Sequence, residues 1–380
     1  MRRAMAVAKR AEGRVEPDPM VGCVIVEHGR IIGEGYHRRF GLAHAEVEAL
    51  RACRTSPRGA TAYTSLEPCC HYGKTPPCTD ALIEARVAEV VIPFKDPFPQ
   101  VAGEGVRQLR RAGITVRAGV LVAEAAEVLA PFLTLTCLKR PYVIAKWAQT
   151  LDGQLVAPPG RSRWISGEVS RREVHKLRAR VDAILVGVDT VIADDPMLTA
   201  RDVPIRRRAI RAILDSRLRI PLSCRLIRTA RKWSTVVVTS RASAASRKAA
   251  RLRGMGVEVL ACATRGDRVA LPDCLAELAR RGVTNLLVEG GPTVLTSFIK
   301  ARLADEAWVF VAPCKIDGPS GWGVISGPLR PRHTSVERCG DDALFRMRLT
   351  TPPRRTEPRA SARAVTRRRP TMRQSLNNES

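Results

Sequence analysis

Short apolar runs and amphipathic stretches alternate along most of the chain. Toward the N-terminus, apolar runs predict β-strands at 21–26, 31–35, 60–65 and 90–92. Stretches rich in Ala, Leu and Glu predict helices at 43–53, 79–85 and 105–111, and from 121 onward. Strands that alternate with helices in this way are typical of an α/β fold.

A domain boundary is expected at the sequence Leu-Lys-Arg-Pro, 138–141. It predicts the end of a helix, because the residue before a proline avoids helical backbone angles, and a new strand follows at 142–148. We therefore expect two domains, residues 1–139 and residues 140–350. Further strands of the second domain are expected at 183–186, 211–214, 235–238, 257–260, 285–289 and 307–311. The second domain is thus also predicted to be α/β.

Composition limits the classes of partner. The 380-residue chain has a net charge of +27, which suits nucleic acid, anionic lipid or phosphorylated small ligands. Aromatic residues make up only 4%, which leaves few rings to stack on bases, and arginine-rich codon usage explains the charge equally well. Residues 351–380 hold eight arginines against two glutamates without periodicity, and they predict a disordered basic tail.

Two features bear on the compartment in which the protein works. No run is long and apolar enough to cross a membrane, and the N-terminal residues lack the pattern of a secretory signal. Eleven cysteines, an odd number in a long chain, favour reduced thiols over a disulfide framework. We expect a cytoplasmic protein without a membrane partner.

The most specific chemical signal lies between residues 44 and 78. His44, Cys69 and Cys78 can supply three ligands to a tetrahedral Zn²⁺ and leave the fourth position for water. Glu46 is close in sequence to His44 and can move protons without binding the metal. This combination is typical of hydrolytic deamination, although the second Cys lies further along the chain than in the short Cys-x-x-Cys form. A structural zinc is the alternative, with Cys70 or His71 as fourth ligand.

At these residues the chain resembles the bifunctional riboflavin-biosynthesis deaminase/reductase family. The motifs that carry the resemblance are Val-Gly-Cys-Val-Ile-Val at 21–26, Gly-Glu-Gly-Tyr-His at 33–37, His-Ala-Glu at 44–46, and the long loop Leu-Glu-Pro-Cys-Cys-His-Tyr-Gly-Lys-Thr-Pro-Pro-Cys at 66–78. The resemblance implies that the His and the two Cys hold zinc, that Glu46 transfers protons, and that a diaminopyrimidinone ribosyl phosphate is deaminated. It also implies substrate contacts for His71 and Lys74, where a merely solvated lysine is the alternative.

Two positions depart from the family pattern. The family often has Asn-Pro before the Val-Gly-Cys strand and Asp-Pro-Asn-Pro after the third strand, whereas this chain has Asp18-Pro19 and Asp96-Pro97-Phe98-Pro99. Both changes remove an amide, and an Asp facing a phosphate would repel it. A member whose reductase works while its deaminase has decayed is therefore one alternative.

The second half carries a different signal. Gly-Gly-Pro-Thr at 290–293 lies between a predicted strand and a predicted helix, where backbone amides can hold an anionic group such as a cofactor phosphate. An ordinary turn is the alternative. No G-x-G-x-x-G opens a βα unit, so a Rossmann site is not indicated.

The second half also resembles the reductase half of the same family. The matching segments, in order, are Lys146, 150–153, 163–166, 186–190, 194–199, 214–216 and 288–291. The implied fold is a cytidine-deaminase-like α/β/α zinc domain followed by a dihydrofolate-reductase-like α/β domain. The implied reaction is an NADPH-dependent reduction of the ribosyl group to ribityl.

The resemblance assigns reductase residues position by position. NADPH contacts are implied at Ala148, Trp164, Thr190, Asp194, Ser216, Gly291, Pro292, Thr293, Val294, Leu295, Thr296 and Ser297. Substrate contacts are implied at Lys146, Ser162, Arg178, Leu198, Arg201 and Glu289. The two arginines suit a phosphate, whereas Lys146 and Glu289 are either proton carriers or a structural ion pair.

The sequence thus predicts an enzyme with Zn²⁺, NADPH and a phosphorylated pyrimidine substrate, working as a homo-oligomer and without a nucleic-acid partner. A zinc-dependent nucleic-acid deaminase remains an alternative and would show strongly salt-dependent RNA binding. A zinc-stabilised binding protein without catalysis is the third hypothesis, which an assay of NADPH consumption would test.

Overall fold

The chain folds into two α/β units that follow one another in sequence. The structure, a computed structural model, describes residues 1–155, 165–315 and 329–353. Two expected site residues, Ser162 and Trp164, lie outside these ranges, as does the expected basic tail from residue 354 onward. None of the helices in the described ranges has the length and apolar character needed to cross a membrane.

The N-terminal unit is built on a five-stranded sheet. Its elements in chain order are α1 (Arg2–Ala8), a 3₁₀ turn (Lys9–Ala11), β1 (Gly22–Glu27), β2 (Arg30–Tyr36), α2 (Ala45–Arg51), β3 (Thr61–Thr64), α3 (Cys78–Glu84), β4 (Glu89–Ile92), α4 (Glu104–Arg111), β5 (Thr115–Ala118), α5 (Val122–Val128) and α6 (Ala130–Leu138). The strand order is β2-β1-β3-β4-β5. β1 is antiparallel to β2 and β3, whereas β3, β4 and β5 run parallel.

Helix α2 packs directly on the backbone of β2 because two glycines give it room. A Cβ on Gly35 would lie 2.3 Å from the amide nitrogen of Ala49, and one on Gly33 would lie 2.4 Å from the Ala49 carbonyl oxygen. No side chain fits at such distances, so the close approach requires glycine at both positions. The approach fixes where the N-terminal end of α2 lies.

The C-terminal unit contains a larger sheet of nine strands. Its elements are β6 (Tyr142–Thr150), α7 (Glu168–Arg178), β7 (Ala183–Gly187), α8 (Val188–Asp194), β8 (Ile210–Leu214), α9 (Arg225–Arg228), β9 (Thr235–Ser240), α10 (Arg241–Ala244), α11 (Arg247–Gly254), β10 (Glu258–Cys262), β11 (Thr264–Arg265), β12 (Arg268–Val269), α12 (Leu271–Arg280), β13 (Asn285–Val288), α13 (Pro292–Lys300), β14 (Glu306–Ala312), β15 (His333–Cys339) and β16 (Asp342–Arg348).

Most of the large sheet is parallel and buried on both faces. The strand order is β10-β9-β8-β7-β13-β6-β14-β16-β15, with antiparallel pairing only where β16 joins β14 and β15. Apolar side chains from alternate strand positions enter two separate cores, one on each face of the sheet. This burial explains why the inner strands are continuous apolar runs in the sequence.

The structure differs from the sequence prediction at three places. The hairpin β15–β16 was not expected, because the edge strand β15 is polar and mostly exposed. The strand β5 was also missed, since its outer residues are polar. The single helix expected from Leu121 is two helices, α5 and α6, which meet at Leu129 just before Pro131. Pro131 lies in the first turn of α6, where its missing N–H is tolerated.

Ion pairs and packing join the two units. Arg180 pairs with Glu12, and Arg348 Nε lies 2.8 Å from Glu127 Oε2. Gly13 packs against Arg180 so closely that a Cβ on Gly13 would lie 2.8 Å from the Arg180 Cβ. The units therefore form a fitted interface, and a cavity described below has walls from both.

Candidate functional site

The predicted zinc ligands come from three segments of the N-terminal unit. His44 is the N-cap residue of α2, and Cys78 is the first residue of α3. Cys69 lies in the loop between β3 and α3, and its sulfur accepts a hydrogen bond from the Cys78 amide at 3.3 Å. Two helix N-termini thus converge on the ligands, and their dipoles favour anionic groups such as thiolates.

The spacing of the three ligand atoms fits zinc. His44 Nδ1 lies 3.4 Å from Cys69 Sγ and 3.4 Å from Cys78 Sγ, and all three atoms lie within 4.8 Å of one another. Zinc bonds of about 2.1 Å to nitrogen and about 2.3 Å to sulfur in a tetrahedron separate the ligand atoms by about 3.5 Å. The trio therefore has the spacing and the chemistry of a zinc site with one open position.

Hydrogen bonding among the ligands shifts their titration. Hydrogen bonds with Cys78 and His44 lower the pKa of the Cys69 thiol, and the hydrogen bond to Cys69 raises the pKa of His44 to about 9. Zinc requires deprotonated ligands, so binding has to displace the His44 proton. Zinc affinity should consequently fall as the pH is lowered.

Glu46 lies beside this trio and does not belong to it. The carboxylate is buried on the first turn of α2, and its Oε1 accepts a hydrogen bond from Thr64 Oγ1 at 3.2 Å. Burial raises the pKa of Glu46, which brings its proton exchange nearer to neutral pH. Thr64, which the sequence did not single out, fixes the orientation of the carboxylate.

A cavity of about 640 Å³ opens over the zinc ligands. His44, Glu46, Cys69 and His71 line it, as the sequence predicted for residues of the deaminase site. Lys74 is not among the lining residues. Its Nζ lies 3.5 Å from the centre of the exposed Phe40 ring. The volume is within the usual range for small-molecule sites of about 300 to 1,000 Å³.

The two positions that depart from the family pattern both line this cavity. Asp18 Oδ2 lies 3.3 Å from His37 Nε2, and the Phe98 ring lies 6.2 Å from the His71 ring. Nδ1 of His71 is buried and has no hydrogen-bond partner in the described part of the chain. A polar group of a ligand can therefore satisfy it.

Sequence reasoning missed several other residues of the cavity wall. Burial raises the pKa of Asp96 to about 7, far above the ordinary range of an aspartate. Glu67 accepts hydrogen bonds from the backbone amides of Asp96, Gly103 and Val106 at 2.8 to 3.0 Å. Both acids belong to motifs recognised in the sequence, but their roles depend on tertiary contacts.

A second cavity, of about 280 Å³, lies in the C-terminal unit. It opens where β6, β7 and β13 end, at the carboxyl edge of the parallel strands, which is where open α/β sheets bind ligands. The predicted residues that line it are Lys146, Ala148, Arg178, Thr190, Asp194, Arg201, Glu289, Gly291, Pro292 and Leu295. The N-terminus of α13 forms part of the wall, with Gly291 as N-cap, so backbone amides face the cavity where an anionic group can bind.

The charged groups of this cavity are paired in a specific way. Arg178 donates to Glu289 with Nε–Oε1 at 2.8 Å and Nη2–Oε2 at 2.6 Å, a bidentate pair that is mostly buried. Burial raises the pKa of Glu289, but Arg178 outweighs this effect and the net pKa is lowered. Burial lowers the pKa of Lys146. The structure thus joins Glu289 to Arg178 in an ion pair, and Lys146 lies in the wall of the same cavity.

Other predicted residues lie away from the lining of this cavity. The Oγ of Ser216 accepts a hydrogen bond from the Val269 amide at 2.9 Å, and Leu198 is buried in the apolar core. In α13, Ser297 donates to the carbonyl of Thr293 at 2.7 Å, and Val294 packs on the Gly187 and Gly290 backbone. Thr296, also on α13, is not a lining residue either.

His175 is a cavity residue that the sequence did not reveal. It lies on α7 one turn before Arg178, and its Nδ1 accepts a hydrogen bond from the Arg201 amide at 3.2 Å. Burial lowers the pKa of His175, so the ring is neutral at physiological pH. A single histidine in the sequence of an amphipathic helix does not indicate a functional site, and only the fold places this one in the cavity.

Comparisons with known proteins match each half of the chain to a known family. Residues 1–93 match the cytidine and deoxycytidylate deaminase zinc-binding region, and residues 141–345 match the RibD C-terminal domain. Riboflavin biosynthesis protein RibD of Aquifex aeolicus is 43% identical over 351 residues, which cover 91% of this chain and 96% of the relative. This chain belongs to the RibD family. RibD of Actinobacillus pleuropneumoniae is 41% identical over 91% of this chain and 93% of the relative.

Solved structures show the same architecture. Acinetobacter baumannii RibD, form 1, superposes with a TM-score of 0.80 at 36% identity, covering 92% of this chain and 97% of the other. A diaminohydroxyphosphoribosylaminopyrimidine deaminase/5-amino-6-(5-phosphoribosylamino)uracil reductase of Thermotoga maritima superposes with a TM-score of 0.77 at 35% identity over 92% of this chain and 97% of the other.

Family membership decides the class of protein. The chain is a bifunctional deaminase and reductase of riboflavin biosynthesis, and its cofactors are zinc and NADPH. The predicted two-domain α/β fold is confirmed. Two alternatives, a zinc-dependent nucleic-acid deaminase and a non-catalytic zinc protein, are rejected. The chain carries a reductase domain at residues 141–345 in addition to the deaminase domain.

Proposed function

We propose that this chain deaminates the pyrimidine ring of a diaminopyrimidinone ribosyl phosphate and then reduces the ribosyl group of the product to ribityl. The observation that carries the proposal is the placement of Glu46 beside a zinc-compatible trio in one cavity, with a second cavity at the reductase sheet edge. The reductase cavity supports a cofactor site, because helix α13 presents its N-terminus there.

In the deaminase cavity, His44, Cys69 and Cys78 hold the zinc. Zinc supplies Lewis acidity that lowers the pKa of water and makes it a nucleophile near neutral pH. Glu46 takes a proton from the attacking water and returns it to the departing amino group, so the net reaction exchanges an amine for a carbonyl oxygen and releases ammonia. Thr64 keeps the Glu46 carboxylate turned toward the substrate.

In the reductase cavity, the chain holds cofactor and substrate against each other. NADPH supplies the hydride when it is bound. The α13 N-terminus binds a cofactor phosphate, and Arg201 binds the substrate phosphate. Lys146 supplies a proton to the ribosyl oxygen, while Glu289 holds the Arg178 guanidinium in place through two hydrogen bonds.

We also propose the boundaries and the setting of the protein. Residues 1–139 carry deamination, residues 140–350 carry reduction and residues 351–380 form the tail; the sequence 139–141 joining α6 to β6 supports this division. The chain works in the cytoplasm as a homo-oligomer. The eleven free cysteines fit a reducing compartment, and the edge strands β2 and β15 expose Ile31 and Val336 for association.

Assays of purified protein with two substrates test the proposal. The unreduced diamino compound should release ammonia, and the deaminated compound should be reduced with consumption of NADPH. Light scattering after size-exclusion chromatography measures the oligomeric state. Reduction without any ammonia release would show that the deaminase half has decayed, whereas the absence of both reactions would contradict the proposal.

A further inference from the structure

The segment that follows α8, residues 195–201, has no regular secondary structure, and its last residue, Arg201, lines the reductase cavity. Arg201 is also the residue proposed above to bind the substrate phosphate. Its side chain is exposed and has no hydrogen-bond or ion-pair partner among the described residues. The place of the guanidinium group therefore depends on how the backbone of this segment is held.

Helix α7 holds the end of the segment through two side chains. Nδ1 of His175 accepts a hydrogen bond from the Arg201 amide at 3.2 Å, and the ring is also hydrogen-bonded to the Thr199 backbone. Arg178 Nη1 donates to the Thr199 carbonyl oxygen at 3.4 Å. His175 and Arg178 are three positions apart on the helix, so they lie on one face and contact the same stretch of chain.

Helix α7 is itself fixed in place. Its Val174 and Leu177 side chains are buried in the apolar core of the C-terminal unit. At its C-terminal end, the carbonyl oxygen of Ala179 accepts hydrogen bonds from the amides of Arg206 and Arg207, at 3.0 and 2.8 Å. A side chain on this helix can therefore set the position of a neighbouring loop.

The beginning of the segment is held by other groups. Arg211, which is fully buried, donates from Nη1 to the Met197 carbonyl oxygen at 3.4 Å. Leu198 is buried in the core and has a φ of 50°, a left-handed conformation that leucine adopts only where surrounding contacts impose it. Within the described ranges, His175 is the side chain that is bonded to the Arg201 backbone. Loss of this bond would thus free Arg201 while Met197 and Leu198 stay in place.

The protonation state of His175 suits this contact. Only a neutral imidazole accepts a hydrogen bond, since an imidazolium ion donates from both nitrogens. Burial and the neighbouring guanidinium groups of Arg178 and Arg201 lower the pKa of His175, which keeps the ring neutral at physiological pH. A neutral ring adds no charge to the cavity and leaves the attraction of a phosphate to the arginines.

We propose that His175 is a positioning residue of the reductase, which holds the Arg201 backbone so that the guanidinium group faces the substrate phosphate. His175 acts through Arg201 and does not itself bind the phosphate. The inference rests on the proposed reduction of a ribosyl phosphate bound by Arg201, and it adds the residue that sets the reach of this arginine.

Two substitutions of nearly equal shape test this inference on the full-length protein. His175→Leu removes the acceptor, whereas His175→Asn keeps an acceptor oxygen near the position of Nδ1 and is the matched control. With NADPH and the deaminated ribosyl phosphate, His175→Leu should raise KM about tenfold and change kcat little, because one hydrogen-bonded contact to a charged group is weakened. His175→Asn should keep KM near that of the unmodified protein. KM for NADPH and the rate of ammonia release should not change in either variant.

A double-mutant cycle shows whether His175 acts through Arg201. Arg201→Gln alone should raise KM, and the addition of His175→Leu should raise it no further, because the two changes remove one interaction. Losses that multiply would give His175 an independent role and overturn the inference. Equal KM values for His175→Leu and His175→Asn would also overturn it, because the acceptor atom would then make no difference.

Failure of the proposed function is separable from failure of this inference. Hydrogen–deuterium exchange of the backbone amides in residues 197–203 measures the positioning without any reaction. Exchange should be faster in His175→Leu than in the unmodified protein and slow again in His175→Asn. If the unmodified protein does not reduce the deaminated compound, the proposed function fails, and the exchange rates still decide the inference. Equal exchange in the three proteins would contradict it even where reduction is observed.

Discussion

At the scale of single residues, function depends on which polar groups are left without protein partners. The Glu46 carboxylate accepts a hydrogen bond from Thr64 Oγ1, is also hydrogen-bonded to the Cys78 thiol, and lines the cavity. Glu67, in the same wall, already accepts three backbone amides. A buried carboxylate with spare lone pairs can exchange protons, whereas a fully hydrogen-bonded one stabilises the fold.

The change Glu46→Gln should abolish most deamination and keep the fold. An amide cannot relay a proton, and general acid–base catalysis typically contributes about 10²- to 10⁴-fold in rate. Ammonia release and zinc content measure the two effects. Glu48→Gln, two positions along α2, is the matched control, because Glu48 pairs with Arg38 and Arg51 and does not line the cavity. Near-normal deamination by the Glu46 variant would remove this residue from the mechanism.

Asp18 and Phe98 should limit substrate affinity in the deaminase half. Both side chains line the cavity, where a carboxylate repels a phosphate and a phenyl ring cannot donate a hydrogen bond. Asp18→Asn and Phe98→Asn should therefore lower the deaminase KM, since a hydrogen bond to a charged group is worth roughly 1.5 to 3 kcal/mol. Steady-state kinetics of both reactions measures this, with the reductase KM as internal control. An unchanged or higher deaminase KM would show that these positions do not contact substrate.

At the scale of elements, the deaminase site depends on how α2 rests on β2. The helix begins at His44, the proposed zinc ligand, and carries Glu46 in its first turn, so any shift of α2 moves both groups. The glycines of β2 set its distance from the sheet. Residues far from the chemistry thus control its geometry.

Gly35→Ala should destabilise the protein and weaken zinc retention. The added methyl would lie 2.3 Å from the Ala49 nitrogen, and overpacking of this kind costs about 1 to 3 kcal/mol. Chemical denaturation and zinc content measure the loss. Gly254→Ala is the matched control, because its methyl meets nothing within 4 Å. Equal stability of the two variants would mean that α2 is not held by close packing on Gly35.

At the scale of the whole molecule, two cavities with different chemistry share one chain and an interface. The proposed zinc ligands lie in the N-terminal unit, and the residues of the reductase cavity lie in the C-terminal unit. Their chemistry is therefore separable, even though α12 closes part of the first cavity.

Removal of zinc should consequently stop one reaction only. Cys69→Ala should lose the metal and deamination, because two remaining ligands hold zinc weakly. It should still oxidise NADPH with the deaminated substrate, and metal analysis alongside both assays measures this. Metal content that survives changes at His44, Cys69 and Cys78 would show that zinc binds elsewhere.

The sequence by itself determined the fold class and the chemistry of the zinc trio. Both are local signals. A strand that is buried on both faces is a continuous apolar run of a few residues, and the start of a helix is likewise marked by residues close together in the sequence. Tertiary structure alone decided that Glu289 pairs with Arg178, that His175 enters the reductase cavity, and that Arg280 reaches the deaminase cavity. These groups are distant in sequence, and their pairing depends on strand order and on the interface between the two units.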